Sequence, residues 1–196
     1  MKRILDCSCS DFAVMSKKDI LESIAASEGR VIVSEIIGML QPVLVNISNA
    51  ELSAAFGSDI LLLNMFDLDN PVFNGIPPVP KDDIPDEIKK LTGRLLGINL
   101  EPVDENQETI GEILSIPNGR KATLKNAAKA VNMGFNMIVL TGNPGTSVSN
   151  KEILSSLETI SSKFKDNVIL AAGKMHARIM KYSTVSNIFS INSIFI

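Results

Sequence analysis

Polar side chains follow each strand-like apolar run of the sequence, at the point where the run ends. In chain order they are Asp6, Glu35, Asn64, Asp67, Asn99, Glu101, Thr141, Asn143, Lys174 and His176. Groups of these types can polarise a substrate, hold it by hydrogen bonds and transfer its protons. Because the carboxyl ends of parallel strands meet around one cavity, the set predicts a single active or binding site. The alternative is that strand ends are polar only because they meet solvent.

Their chemistry divides these residues into catalytic and substrate-binding candidates. The candidate catalytic residues are Lys174, Glu101, Glu35 and Asp6. Lys174 follows the apolar run VILAAG, and a lysine in such low-dielectric surroundings can act as a base or as a Schiff-base nucleophile. A salt bridge to Glu101 or Glu35 is its alternative role. The candidate substrate-binding residues are Asn64, Asn99, Thr141, Asn143 and His176, the only histidine of the chain.

Hard oxygen ligands and a glycine-containing loop indicate how an anionic substrate can be held. Asp67 and Glu101 are candidate ligands of Mg²⁺, which proteins usually bind through one or two carboxylates together with water and substrate oxygens. The loop after the fifth run offers candidate anion-binding groups at Gly142, Gly145, Thr146 and Ser147. A simple turn is the alternative for this loop. Zinc is not expected, because Cys7 and Cys9 with one distant histidine lack zinc-ligand spacing.

The elements that must position these residues form a β/α repeat, in which apolar runs alternate with amphipathic segments. The expected strands are Arg3–Asp6, Arg30–Ile36, Asp59–Phe66, Arg94–Glu101, Met137–Asn143 and Val168–Lys174. Most are unbroken apolar runs, which are typical of parallel strands covered on both faces. The sequence therefore predicts a parallel sheet with helices between its strands.

Helix boundaries have signals of their own. Capping boxes are expected at three helix starts, formed by Ser16 with Asp19, Ser48 with Glu51, and Ser149 with Glu152. Another helix is expected to carry Pro85 in its first turn, and a further one to run from about Ala122 to Met133. Four helices are expected to stop at glycines that adopt a left-handed conformation, namely Gly29, Gly57, Gly93 and Gly134.

The length of the repeat indicates the fold class. Six units between Arg3 and Met175 give roughly 29 residues per unit, close to the spacing in a (β/α)8 TIM barrel of about 250 residues. We therefore expect an α/β protein of TIM-barrel type that is incomplete, with about six β/α units. An open doubly wound parallel sheet is the alternative. No nucleotide cofactor is expected, because DCSCSDF stands where a dinucleotide-binding glycine motif would follow the first strand.

Composition and the last residues of the chain constrain its partners. Residues 1–177 are expected to form a partial barrel domain, and the irregular apolar segment 178–196 to pack on that barrel or on a second copy, which predicts a homo-oligomer. A net charge of −3 without a basic run argues against nucleic acid. The sequence shows neither a membrane-spanning run nor a signal peptide, so we expect a cytoplasmic protein. The expected partner is a small anionic metabolite.

Longer segments of the sequence resemble a known family. They are RILDCSCSDFAVMSKKDILESI, SEGRVIVSEII, SNAELSAAFGSDILLLNMFD, LTGRLLGINLEPV, NMIVLTGNPGTSVSN and VILAAGKMHA. Over residues 3–177 the chain is similar to an uncharacterised bacterial family of TIM-barrel proteins, often labelled phosphoenolpyruvate phosphonomutase-like or haloacid-dehalogenase-like. The resemblance implies the barrel fold. It also implies further β/α units after GKMHA, where this chain has a sequence that we expect to be replaced or prematurely ended.

The two labels differ in how far the residues support them. The chain has no Lys-x-Cys-Gly-His loop of the phosphonomutase type, and the segment DLDNP at 67–71 lacks the Thr or Val that follows the second aspartate of dehalogenases. Our leading hypothesis is an enzyme, or a truncated enzyme, that acts on a small anionic or phosphorylated metabolite by lyase, aldol or mutase chemistry. The alternatives are a non-catalytic metabolite-binding or assembly protein and, ranking below it, a hydrolase.

Overall fold

The computed structural model describes residues 2–103, 116–142 and 148–173. The strands are β1 (Val33–Ile37), β2 (Ile60–Asn64), β3 (Leu95–Leu100), β4 (Met137–Leu140) and β5 (Ile169–Ala172). The helices are α1 (Cys9–Phe12), α2 (Lys17–Ala26), α3 (Asn49–Ala55), α4 (Ile84–Thr92), α5 (Leu124–Asn132) and α6 (Asn150–Phe164). Short 3-10 helices span Ile4–Asp6, Lys81–Asp83 and Asn118–Arg120.

The five strands form one sheet in the order β1-β2-β3-β4-β5, and every neighbouring pair is parallel. One row of the register runs across the whole sheet through Glu35, Leu62, Gly97, Met137 and Ile169. Helices α3 to α6 each lie between two consecutive strands of this sheet. The expected α/β class with a parallel sheet is therefore confirmed.

The helix boundaries follow the local signals of the sequence. The Ser16 and Ser48 capping boxes are both formed, and the Ser149 hydroxyl accepts from the backbone N–H of Glu152 at the start of α6. These side chains satisfy amides that the first helical turn leaves without an intrahelical partner. Pro85 lies in the first turn of α4, and Gly93 ends that helix with a φ of 64°. Glycine carries no Cβ, so it adopts this left-handed conformation without steric cost.

The sheet buries its two faces in different ways. The larger apolar cluster includes the side chains of β2 to β5 on the face that packs against helices α3 to α6. It also contains residues from all four of these helices, such as Ala50, Ile88, Ala127 and Ile160. The smaller cluster is formed by Ile4, Ile20, Ile60, Leu95, Met137 and Ile169. The last four of these are the first residues of β2 to β5. The N-terminal segment therefore closes the amino edge of the sheet, on the face opposite to α3–α6.

The expected first strand, Arg3–Asp6, is wrong, because these residues form the 3-10 helix Ile4–Asp6. The Asp6 N–H donates to the Arg3 carbonyl at 3.0 Å, so local bonds replace the sheet ladder. Ile4 is the buried residue of this helix, and it packs in the smaller cluster with the first residues of β2 to β5. This short apolar run therefore does not form a strand. It belongs to the N-terminal plug, the segment before β1 that covers the first residues of β2 to β5. Hydrophobic periodicity cannot distinguish a strand from another buried segment when the apolar run is this short.

No helix in the described ranges is both long enough and apolar enough to cross a membrane.

A tight turn after β2 is locked against the loop that precedes α5. The backbone N–H of Leu68 donates to the Gly119 carbonyl at 3.2 Å, and Oδ1 of Asp67 accepts from the Asp69 N–H at 2.9 Å. A Cβ on Gly119 would lie 2.5 Å from the backbone nitrogen of Asp69 and 2.9 Å from that of Leu68, and it would also contact the Asp67 carboxylate. Glycine is therefore required at position 119, because these three groups of the turn leave no room for a Cβ atom.

We predict that Gly119→Ala lowers the free energy of unfolding by at least about 1–3 kcal/mol, because backbone atoms must move to accept the methyl group. Gly173→Ala is the matched control, since no described atom lies within 4 Å of a Cβ at that position. Urea unfolding followed by circular dichroism measures both. Equal stability of the two variants would contradict the close packing of this turn.

Candidate functional site

The register and the alternation of side chains bring the predicted polar residues to one face of the sheet. Glu35, Asn64, Asn99 and Thr141 all lie on the face opposite to helices α3–α6, and Glu101 continues the same alternation directly after β3. They stand at or near the carboxyl ends of β1 to β4. The sequence predicted this convergence, and in the structure it forms the candidate site.

Three members of this group are buried side chains with polar atoms that have no hydrogen-bond partner within the described ranges. Asn99, Glu101 and Thr141 are 3%, 3% and 4% exposed. Both side-chain polar atoms of Asn99, Oε2 of Glu101 and the Thr141 hydroxyl make no hydrogen bond to any described residue. Burying a polar group without a hydrogen bond costs about 1–3 kcal/mol. Four such atoms in one place indicate groups that are held ready for another molecule or for the remaining residues of the chain.

Glu101 is held in position by an arginine that the strand-end rule did not find. Oε1 of Glu101 is paired with the Arg120 guanidinium, and their side chains are 4% and 12% exposed. The backbone reinforces this pair, because the Glu101 N–H donates to the Arg120 carbonyl at 2.8 Å and the Ala122 N–H donates to the Glu101 carbonyl at 2.9 Å. Oε1 is thus committed to Arg120 while Oε2 stays available among the described residues.

Arg120 lies in the 3-10 helix Asn118–Arg120, which does not directly follow any of the strands that the sequence predicted. Searching only the residues that follow strands therefore passes over it. A signal was present in the turn itself, because the sequence Pro117-Asn118-Gly119 predicts a sharp reversal that returns the chain to the sheet.

Glu35 and Asn64 form a second pair on the neighbouring strands β1 and β2. The Asn64 amide nitrogen donates to Oε1 of Glu35, and Oδ1 of Asn64 accepts from the Met65 N–H at 2.8 Å. Met65 has a φ of 57°, a left-handed conformation that is unfavourable for a residue with a side chain. Both ends of the Asn64 amide are therefore used inside the protein, unlike those of Asn99. This pair orders the edge of the site at the end of β2.

Asp6 and Asp67 make contacts that the sequence did not predict. Asp6 lies with the plug at the amino edge of the sheet, where Nε of Arg3 donates to its carboxylate at 2.7 Å. That hydrogen bond holds the pKa of Asp6 below its ordinary value, which makes the carboxylate a weaker base. Asp67 uses Oδ1 to fix the turn after β2. Asp6 is therefore not part of the group at the carboxyl edge.

Of the two predicted metal ligands, Glu101 keeps a carboxylate oxygen without a described partner, and Asp67 uses Oδ1 within the turn after β2. In the described part of the chain, no three His, Cys, Asp or Glu side chains lie together in a way that could hold an ion. Glu101 contributes one carboxylate oxygen without a described partner, and the neighbouring orphaned oxygens belong to Asn99 and Thr141. This donor set suits Mg²⁺, which accepts a single protein carboxylate when water and substrate oxygens complete its shell.

The remaining predicted site residues fall largely outside the described ranges. These residues are Asn143, Gly145, Thr146, Ser147, Lys174 and His176. Gly142 is described, and a Cβ there would lie 2.5 Å from Cβ of Val148. The two ends of the predicted anion-binding loop therefore pack directly against each other just beyond β4.

Fold and site together define an α/β protein with a parallel sheet whose carboxyl edge carries a cluster of buried polar side chains. The chain belongs to the family described as "Domain of unknown function (DUF7916)", whose sequence profile matches residues 5–194. No activity comes with that description, so the resemblance to phosphonomutase-like or dehalogenase-like proteins stays a prediction. No curated protein matches the sequence.

Two solved structures match part of this chain at low similarity. A "putative alpha-N-acetylgalactosaminidase" from Bacillus halodurans C-125 has 10% sequence identity and a TM-score of 0.42, over 73% of this chain and 48% of that one. The Bacillus cereus spore cortex-lytic enzyme SleL has 14% identity and a TM-score of 0.36, over 74% of this chain and 35% of that one. The chain thus spans about half or less of the length of either structure.

We predict that Thr141→Val changes the free energy of unfolding by less than about 0.5 kcal/mol or raises it, because the hydroxyl that it removes is buried without a described partner. Thr92→Val is the matched control. The Thr92 hydroxyl donates to the Ile88 carbonyl at 2.7 Å, so its loss is expected to cost about 1 kcal/mol. Denaturant titration of the ligand-free protein measures both. A cost at Thr141 equal to that at Thr92 would mean that its hydroxyl is already satisfied inside the protein.

Proposed function

We propose that this chain forms a β/α-barrel enzyme, or the larger part of one, that acts on a small anionic metabolite at the carboxyl edge of its sheet. The observation that carries the proposal is the orphaned polar group of Asn99, Glu101 and Thr141, each more than nine-tenths buried. A stable fold gains nothing from such groups, whereas a ligand that satisfies them is bound strongly and selectively.

Two features of the sheet favour a barrel over a doubly wound sheet. The strand order follows the chain order without a reversal, whereas a doubly wound sheet changes direction at a switch point. Helices α3 to α6 all contribute to the same apolar cluster, on one face of the sheet. Helices on one side and strands in sequential order are the arrangement from which a β/α barrel closes.

The chemistry proposed for the site is stabilisation of an enolate or a related oxyanion. The Asn99 amide can donate to a developing negative charge through its nitrogen, and the Thr141 hydroxyl can donate to the same or an adjacent oxygen. Glu101, held by Arg120, can accept a proton or bind Mg²⁺ through Oε2. Mg²⁺ would supply Lewis-acid polarisation of the substrate carbonyl or phosphate. Lyase, aldol and mutase reactions share this requirement, which is why we group them.

We predict that a small anionic metabolite stabilises the protein and that Asn99→Leu removes this stabilisation. Pyruvate and phosphoenolpyruvate, each with and without Mg²⁺, are suitable probes in thermal unfolding, and native mass spectrometry reports any metabolite retained on purification. Removing a hydrogen bond to a charged ligand weakens binding by about ten-fold or more. The Asn99 side chain makes no described hydrogen bond, so the leucine variant is expected to fold.

Two further variants give the matched comparison. Glu101→Gln removes the charge proposed to bind Mg²⁺ or accept a proton, and Glu22→Gln makes the same change at an exposed surface pair with Lys18. We expect the first to abolish Mg²⁺-dependent binding and the second to leave it unchanged. Binding without turnover would favour a non-catalytic metabolite-binding protein. Equal binding by wild type, Asn99→Leu and Glu101→Gln would refute the site.

A Schiff-base reaction makes a separate claim on Lys174, which follows β5 by two residues. Its amine would condense with a keto substrate and release water, and borohydride would reduce the resulting imine to a stable secondary amine. We predict that pyruvate with borohydride adds mass to the peptide that contains Lys174, and that Lys174→Arg abolishes the addition. Lys165→Arg is the control. Mass gain elsewhere, or none at all, would leave Lys174 as a binding or carboxylate-pairing residue.

A further inference from the structure

The amino edge of the sheet contains a cavity that is separate from the candidate site. Its volume is about 300 Å³, and it lies between the segment around α1, the end of α4 and the start of β3. The lining residues are Cys9, Phe12, Ala13, Met15, Lys89, Lys90, Gly93, Arg94, Leu95 and Asn136. Leu95 is the first residue of β3, so the cavity opens at the edge opposite to Asn99 and Glu101.

All three charged residues that line this cavity are cations. The exposed ammonium group of Lys90 pairs with Oε2 of Glu87 at 3.1 Å. Lys89 donates to the Gly134 carbonyl, and burial lowers its pKa while the nearby Asp86 carboxylate opposes that change. Each lysine therefore has a partner of its own, although an ammonium group has three N–H donors and can serve a second acceptor.

Arg94 differs from the two lysines because part of its guanidinium lacks an acceptor. Nε of Arg94 is buried and makes no hydrogen bond to any described residue. A guanidinium is always charged and presents its donors in a planar fork, which fits the oxygens of a carboxylate or phosphate. An unsatisfied charged donor is costly to bury, so an acceptor in this cavity would recover that free energy.

Much of the remaining wall of the cavity is apolar. Phe12, Ala13, Met15 and Leu95 contribute carbon surface beside the cations. A volume of about 300 Å³ is at the lower end of the range for ligand pockets, which suits a molecule of about ten non-hydrogen atoms. Bare inorganic ions would leave the apolar wall uncovered. The combination fits an oxyanion group attached to a compact apolar body.

We propose that this cavity binds a small organic anion, with its carboxylate or phosphate group on Arg94 and Lys89 and its apolar body against Phe12, Met15 and Leu95. The site is independent of the proposed enzyme site, because no residue is common to the two. It is placed between the N-terminal plug and the sheet, so an occupant would tie the segment around α1 to the end of α4.

The thiol of Cys9 provides a local readout of occupancy. Cys9 is exposed and lines the cavity, whereas Cys7 is buried and its burial raises the pKa of its thiol. Cys9 is therefore expected to account for the fast reaction with N-ethylmaleimide, and Cys9→Ser to remove it. Phenyl phosphate and benzoate serve as the anionic probes, inorganic phosphate as the head group alone, and benzyl alcohol as the neutral counterpart.

We expect phenyl phosphate or benzoate to slow the labelling of Cys9, by about ten-fold at ten times the dissociation constant. Benzyl alcohol is expected to give no protection, and inorganic phosphate to protect only at higher concentration. Arg94→Gln should weaken binding, measured by calorimetry, by about ten-fold or more. Arg30→Gln makes the same change at an exposed pair with Glu28 and should leave binding within about two-fold.

Several results would overturn this site. About 10 mM of either anion is enough to occupy a weak metabolite site. If the labelling rate of Cys9 does not change at that concentration, the cavity binds no anion. Equal affinities of Arg94→Gln and Arg30→Gln would remove Arg94 from the site. Protection by benzyl alcohol as strong as that by benzoate would make the cavity an apolar pocket. Thermal unfolding of each variant shows that a loss of binding is not a loss of the fold.

Discussion

The parallel register of the five strands is the constraint on which the rest of the structure depends. Each strand pairs with the next one in the chain, and side chains alternate between the faces, so one register determines what every strand end presents. A shift of one residue in β3 would turn Asn99 toward the helices and an apolar neighbour toward the site. The apolar face toward α3–α6 prevents such a shift, because Leu96, Ile98 and Leu100 are fully buried there.

The two edges of the sheet solve different physical problems. At the amino edge, the plug formed by residues before β1 covers Ile60, Leu95, Met137 and Ile169, so apolar burial dominates. At the carboxyl edge, Asn99, Glu101 and Thr141 are buried on the same face, but part of their hydrogen-bonding capacity is unused among the described residues. Apolar burial at the amino edge stabilises the fold, whereas the unsatisfied polar groups at the carboxyl edge lower its stability and are available to bind a ligand.

Preorganisation distinguishes the members of the carboxyl-edge group. Glu101 is fixed by Arg120 and by backbone bonds on both sides, so its second oxygen has a defined direction. The Asn64 amide is hydrogen-bonded to Glu35 and to the backbone N–H of Met65, so it orders the site and is not available to a ligand. Asn99 and Thr141 keep their polar atoms without a described partner. Residues of the same type at equivalent strand ends thus have different roles because their neighbours differ.

Local sequence determined most of the elements and the face on which the site lies. Apolar runs predicted five of the strands, and capping serines and glycines predicted where the helices start and stop, because these signals act over a few residues. The polar strand ends predicted Glu35, Asn64, Asn99, Glu101 and Thr141 as one group. Tertiary structure decided what local patterns do not contain. It turned Arg3–Asp6 into part of the plug, brought Arg120 to Glu101 from a turn, and used Asp67 to hold a loop. Pairings between residues far apart in the chain depend on the packing of the whole sheet, so no short pattern specifies them.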